Sequence, residues 1–367
     1  MGNLGQNVDF WTNQWTETDV ESEIRMWDFY GGRPWILKFT PRFGRVLEAG
    51  CGLGRYNFYL SNLGINIIGL DFAEKTIDFL NEWKRSNNYD SVSFIKGDIN
   101  ELPFENDSLS GYLSFGVVEH FQEGPYKPLK EAFRVLRPGG IAIITTPNRS
   151  WNIIRVEYYN FLKTIIKKLI GRKVNKPFYQ YEYTPKQLKK HVEKTGLMVT
   201  EYTGTDFLYT FNEFSAFKLK NINEGSVIYN LSHILDKSIF KKYGAQSITV
   251  SVKTAEKMHC FFCNEESALL NSLETFVVPV CRECEQLSVT KHYLIKSKTG
   301  FHNKYIINRE ILSVKKCKCE FCGNDYQTDI LFEDFGFNKQ VCPSCLKGRS
   351  INLLLSNENI QPLWRMR

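Results

Sequence analysis

Short apolar runs alternate with amphipathic segments through the first 150 residues of this 367-residue chain. Val46, Leu47 and Ala49 form the first run, and Ile65 to Leu70 form the next. Between them Tyr56, Tyr59, Leu60 and Leu63 recur at helical spacing. A third run spans Val92 to Gly97, a fourth ends at Phe115, and a fifth spans Ile141 to Thr145. Strands alternating with helices in this way predict βαβ units and an α/β fold. Further on, Thr184 as N-cap, Pro185 at the first position and Gly196 as the stop predict a helix over Thr184 to Thr195.

Chemistry concentrates where the strands end. The first run leads through Glu48 into a loop with Gly50, Gly52 and Gly54, and the second run ends at Asp71, followed by Phe72. Glycines let a backbone approach a ligand closely, and a carboxylate closing the next strand can accept hydrogen bonds from ribose hydroxyls. Dinucleotide sites use G-x-G-x-x-G beside a pyrophosphate, whereas the pattern here is G-x-G-x-G with Glu48 two residues ahead. That carboxylate would repel a pyrophosphate and would suit a ligand carrying an ammonium and a sulfonium. The third run leads to Asp98-Ile99, an acid with an apolar neighbour able to read an adenine edge and face. The fourth enters Phe115-Gly116-Val117-Val118-Glu119-His120, and Arg137-Pro138-Gly139-Gly140 precedes the fifth.

These motifs, in this order, resemble the class I S-adenosylmethionine-dependent methyltransferases over about residues 35 to 254, most specifically through residue 148. The resemblance implies a Rossmann-like, mostly parallel seven-stranded sheet with helices on both faces, Ser247 to Val252 supplying the last strand. It implies that Glu48, Gly50, Gly52 and Gly54 surround the methionine moiety, that Asp71 and Phe72 hold the ribose side, and that Asp98 and Ile99 flank the adenine. Phe115 to Val117 would floor the place where the methyl group is presented, and Arg137 to Gly140 would be a structural turn feeding the fifth strand. His120, with an ordinary pKa near neutrality, is the candidate base for an oxygen nucleophile. Some quinone-biosynthesis relatives bind a metal through Glu-x-x-Glu-His; Gly116 replaces the first glutamate here, so no catalytic metal is inferred. Cys51 reads as a small packing residue.

Ten cysteines change the picture of the remainder. Eight form C-x2-C pairs: Cys260/Cys263, Cys281/Cys284, Cys319/Cys322 and Cys342/Cys345. This is the pattern of two four-thiolate zinc sites, in two halves that look like a diverged repeat. A lone iron in a rubredoxin-like site would use the same ligands. Two units are therefore expected: residues 1–254, with an insertion at about 149–180, and a module at 255–367 with two zinc-ribbon-like sites. Closed tetrathiolate shells predict a structural role.

Charge bears on partners. Forty-seven Lys and Arg oppose 40 Asp and Glu, a net charge of +7. Basic residues cluster in 155–194 and, interleaved with Tyr293, Phe301 and Tyr305, in 286–318. The first cluster falls on the insertion, where this family often builds its acceptor lid, and suits either an anionic or lipid-linked acceptor held near a membrane surface or an ordinary packing helix with a solvated back. The second suits either RNA or a solvated face. The aromatic N-terminal region (Phe10, Trp11, Trp15, Trp27, Phe29, Tyr30, Trp35) is expected to cap the cofactor or to join the core. No apolar run reaches 18 residues and no secretory signal is evident, so a cytoplasmic enzyme is expected. The expected acceptor is a hydroxyl of a sugar, lipid-linked saccharide or other small metabolite. RNA or protein methylation using the ribbons for recognition, and a non-catalytic cofactor-binding scaffold, are the competing readings.

Overall fold

The computed structural model describes residues 7–16, 19–25, 30–62, 64–87, 89, 92–152, 178–207, 231–232, 234–236, 238–261, 264–267, 278–281, 314–318 and 325–329. Seven strands form one sheet: β1 Arg45–Ala49, β2 Asn66–Asp71, β3 Ser93–Lys96, β4 Leu109–Phe115, β5 Leu136–Pro147, β6 Met198–Thr205 and β7 Gln246–Val252. Their spatial order is β3-β2-β1-β4-β5-β7-β6. Pairing is parallel from β3 through β5, and β7 runs antiparallel to both β5 and β6. The chain winds outward in both directions from β1 and β4, which opens a crevice at the carboxyl ends of those strands.

The helices follow the amphipathic pattern. They are α1 Val8–Thr16, α2 Val20–Arg25, α3 Arg33–Phe39, α4 Arg55–Asn62, α5 Glu74–Ser86, α6 Tyr126–Val135, α7 Arg149–Asn152 and α8 Pro185–Glu193. On one side Leu47, Tyr112, Leu129, Ala132, Ala142, Ile144, Leu188 and Val192 pack as a continuous core. On the other, Phe58, Ile77, Leu80 and Phe94 form a second core that takes in Val20 and Trp15 from the N-terminal helices. Burying side chains of this size is worth about 1.5–3 kcal/mol each, which anchors α2 to the sheet. The helix expected from Thr184 is α8: the Thr184 hydroxyl accepts the Gln187 N–H, the Gln187 side chain accepts the Thr184 N–H, and Gly196 turns at φ 99°.

One expected turn is instead a bulge. Register passes from Leu109↔Leu136 to Gly111↔Ile141, so Arg137-Pro138-Gly139-Gly140 bows out of β5. The Gly139 N–H donates to the Lys253 carbonyl and the Lys253 N–H to the Gly140 carbonyl. Against this bulge rests the start of the C-terminal module, the ribbon β8 Met258–His259 and β9 Glu266–Ser267. The Arg137 guanidinium donates to the Asn264 side chain. A Cβ on Gly139 would lie 2.7 Å from the His259 carbonyl oxygen, so the contact requires glycine there.

Of the later residues the structure describes one further ribbon, β10 Val314–Lys318 with β11 Asp325–Asp329. Cys263, Cys284, Cys319, Cys322, Cys342 and Cys345 lie outside the described residues, as do most of the basic 286–318 stretch, residues 153–177 of the insertion, Trp27 and Phe29. No helix among the described residues is long and apolar enough to cross a membrane.

Candidate active site

β1 ends at Ala49 and the chain turns through the glycine loop into α4. Gly50 and Gly52 have φ of 79° and 50°, a region costly for residues with a Cβ. Space gives the same demand. A Cβ on Gly50 would lie 2.6 Å from the Val117 side chain, and one on Gly52 would lie 2.8 Å from the Trp15 ring. The loop is tied to the end of β2, because the Gly50 and Cys51 N–H groups both donate to the Leu70 carbonyl. Asp71 continues that tie. Its Oδ2 accepts the Gly52 N–H at 3.0 Å and its Oδ1 accepts the Ala73 N–H at 3.0 Å. Each carboxylate oxygen has a second lone pair, leaving capacity for a ligand hydroxyl.

A cavity of about 560 Å³ opens above these strand ends. Glu48, Gly50, Gly52, Asp71, Phe72, Asp98, Ile99, Phe115 and His120 all line it. Gly54 does not, contrary to expectation. Its missing Cβ makes room for the Phe94 ring, 2.7 Å from where that atom would stand, so Gly54 serves packing between α4 and β3. Asp98 is exposed and its Oδ1 accepts both the backbone and side-chain N–H of Asn100, which fixes the carboxylate at the cavity rim.

Burial governs the electrostatics. Glu48 is 2% exposed. Desolvation pushes its carboxyl well above the ordinary range and nearby Asp71 adds to this, while the Arg55 guanidinium opposes it. With its amide nitrogen turned toward Glu48, Asn57 donates to Oε2 at 2.6 Å and accepts the Gly69 N–H at 3.1 Å. Arg55 itself is ion-paired with Glu23. Burial raises Asp71 as well, against the backbone donors that favour its charge. Two buried carboxyls held above their usual range are a setting that a cationic, hydroxyl-bearing ligand would relieve. The Cys51 thiol is 6% exposed and raised well above its ordinary value by burial, as befits a packing residue.

The opposite end of the cavity is aromatic. Val118–His120 form a 3₁₀ turn after β4, and the Gly116 N–H donates to the Thr145 carbonyl. His120 is 5% exposed, its Nδ1 2.9 Å from the Tyr179 carbonyl. A carbonyl only accepts, so in the neutral ring Nδ1 carries the hydrogen and Nε2 is the basic nitrogen. Burial lowers the His120 pKa, partly offset by backbone contacts with Tyr179 and Gly116. The rings of Trp11 and Tyr179 close on it edge-on, at centroid distances of 5.1 and 4.9 Å. Trp11 and Trp15 stack on each other, so the expected aromatic cap is supplied by α1, while Trp35 is buried in the core. Arg55, Tyr56, Glu119, Tyr179, Gln180 and Gln246 also line the cavity and were not anticipated as site residues. Glu119 alone had a signal, its place beside His120 in the motif after β4.

Residues 47–144 match the family described as a methyltransferase domain. A protein of Mycolicibacterium smegmatis named as an S-adenosylmethionine-dependent methyltransferase is 36% identical over 104 residues, 28% of this chain and 38% of that protein. The ubiquinone biosynthesis O-methyltransferase of Rhizobium leguminosarum bv. trifolii is 25% identical over 181 residues, 49% of this chain and 69% of the relative. Among solved structures, the complex of the Haloferax volcanii Trm112 methyltransferase activator with a methyltransferase overlaps at TM-score 0.47 and 18% identity, over 67% of this chain and 98% of that one.

Proposed function

We propose that this chain is an S-adenosylmethionine-dependent methyltransferase acting on a hydroxyl of a small acceptor such as a sugar, lipid-linked saccharide or other metabolite. The observation that carries this reading is the single cavity shared by the Glu48–Gly52 loop, Asp71, Asp98 and His120. The donor set fits the cofactor. Glu48 would face its ammonium, Asp71 would accept the ribose hydroxyls, and Asp98 with Ile99 would flank the adenine, while the left-handed glycines leave room for its backbone approach. When bound, S-adenosylmethionine supplies an electrophilic methyl group. The chain's own part is to hold the acceptor oxygen in line with that carbon and to take its proton at His120 Nε2. The name of the rhizobial relative, an O-methyltransferase, supports oxygen as the receiving atom.

The C-terminal module is proposed to hold two structural zinc ions, one per set of four cysteines. Cys260 and Cys281 support this. Both are buried, and the Cys281 N–H lies 3.3 Å from Cys260 Sγ, a contact that would stabilise a thiolate. The Asn264 N–H donates to the Cys260 carbonyl, and Asn264 has a φ of 65°; Gly323 follows the third pair at the equivalent place in the sequence. Among the described residues no three candidate ligands converge, six of the eight cysteines lying outside them.

Transfer of labelled methyl from S-adenosylmethionine into a cell extract, split into small-molecule, lipid, RNA and protein pools, tests the reading. Label in the small-molecule or lipid pool is the expected result. Label in RNA or protein would overturn the acceptor class, and no label in any pool would favour the scaffold reading.

A further inference from the structure

One buried group at the acceptor end is used neither by the cofactor reading nor by the base. Glu119 is 1% exposed yet lines the cavity, and its Oε2 has no hydrogen-bond partner among the described residues. The turn carrying it is clamped, because the Tyr181 N–H donates to the Glu119 carbonyl at 2.9 Å and the Tyr181 hydroxyl to the Gln122 carbonyl at 2.8 Å. A carboxyl so placed is an unanswered polar group, and native structures seldom bury one without a use. Burial pushes it up to about 8, so it is mostly the neutral acid at neutral pH. A neutral carboxyl presents one donor and retains acceptor capacity.

The surroundings narrow what would answer it. Gln246 pairs with Pro147 at the carboxyl end of β5, next to β4; it lines the cavity, and its Oε1 is buried with no hydrogen-bond partner among the described residues. Trp11 and Tyr179, stacked on each other at a centroid distance of 6.4 Å, form an apolar wall beside His120. Arg55 is the one Lys or Arg among the described residues lining the cavity, and it is paired with Glu23, so among those residues an anionic acceptor meets no spare countercharge. A hydroxyl both donates and accepts, and so matches the donor and the acceptor of the neutral acid, whereas an ammonium only donates.

We propose that Glu119 is the residue that reads the acceptor, hydrogen-bonding a hydroxyl of a neutral, hydroxyl-bearing ring seated beside the Trp11–Tyr179 wall. This deepens the methyltransferase reading and rests on it. The test uses the full chain loaded with S-adenosylhomocysteine, its binding first measured by calorimetry. Three ring probes are then titrated: resorcinol, its dimethyl ether, and benzylammonium. Resorcinol is expected to bind about tenfold or more tighter than the ether, the difference one buried hydroxyl contact makes. Glu119→Leu should erase that preference with unchanged S-adenosylhomocysteine affinity, and Glu119→Gln, whose amide also donates and accepts, should keep part of it. Equal binding of resorcinol and ether, tightest binding of benzylammonium, binding of no probe, or a preference surviving Glu119→Leu would each overturn the proposal. Failure to bind S-adenosylhomocysteine would instead remove the methyltransferase reading beneath it.

Discussion

Asp71 does two jobs with one carboxylate. Its oxygens hold the Gly52 and Ala73 N–H groups, and the same oxygens face the cavity. Asp71→Ala therefore removes a ligand contact and orphans two backbone donors, each costing about 1–3 kcal/mol when buried. Calorimetry should show S-adenosylmethionine affinity reduced by about a hundredfold or more. His120 should behave differently. His120→Ala is expected to spare cofactor binding and to slow transfer by about 10²–10⁴-fold, the usual contribution of a positioned base. Because burial lowers its pKa, the ring stays neutral and basic at pH values below its ordinary 6.5. The acid limb of the turnover–pH profile should thus fall below pH 6.5, and the limb should vanish in the alanine variant. A profile with its limb unchanged in His120→Ala would assign the base elsewhere.

At the scale of elements, the loop between β1 and α4 is the site's most constrained piece. Gly52 combines a left-handed φ with 2.8 Å from its would-be Cβ to Trp15. Gly52→Ala must shift either the loop or α1, which carries that ring. The expected outcome is a loss of cofactor affinity larger than the loss in thermal stability, since the loop faces solvent and ligand on one side. Equal affinity in the variant would show that the loop tolerates a side chain. The pattern of glycines was legible in the sequence because φ and close approach act on the backbone itself. Gly54 shares the left-handed φ of its neighbours, at 71°, but the ring its missing Cβ makes room for is Phe94, a contact that depends on how α4 packs. The Arg137–Gly140 bulge was legible only as a turn. Whether it leaves or rejoins the sheet depends on Lys253, which is more than a hundred residues away.

Across the whole molecule, the ribbon that leads into Cys260 is packed on the seven-stranded sheet rather than strung beyond it. Arg137 reaches Asn264, and Gly139 lies under His259. Metal loading at Cys260 and Cys281 should therefore be felt by the sheet. Elemental analysis of the purified chain is expected to find two zinc ions. Cys281→Ser should leave one and should lower the melting temperature of the chain, because the bulge of β5 loses the ordered ribbon it packs against. Two ions retained in that variant, or a metal-free wild type, would discard the zinc reading.

The alternation of strands and helices through β5, the glycine loop and the capped helix at Thr184 are local matters of periodicity, φ and neighbouring polar groups, and the sequence by itself determined them. The cysteine spacing is equally explicit in the chain, although what the pairs hold is a question for the metal analysis. Tertiary structure decided what local rules do not reach. It brought Trp11 and Trp15 over a loop some 40 residues away, set Tyr179 against His120, and left the carboxyl of Glu119 buried without a partner. Those placements follow from close packing between segments remote in sequence, and no periodicity or motif along the chain encodes which side chains will meet.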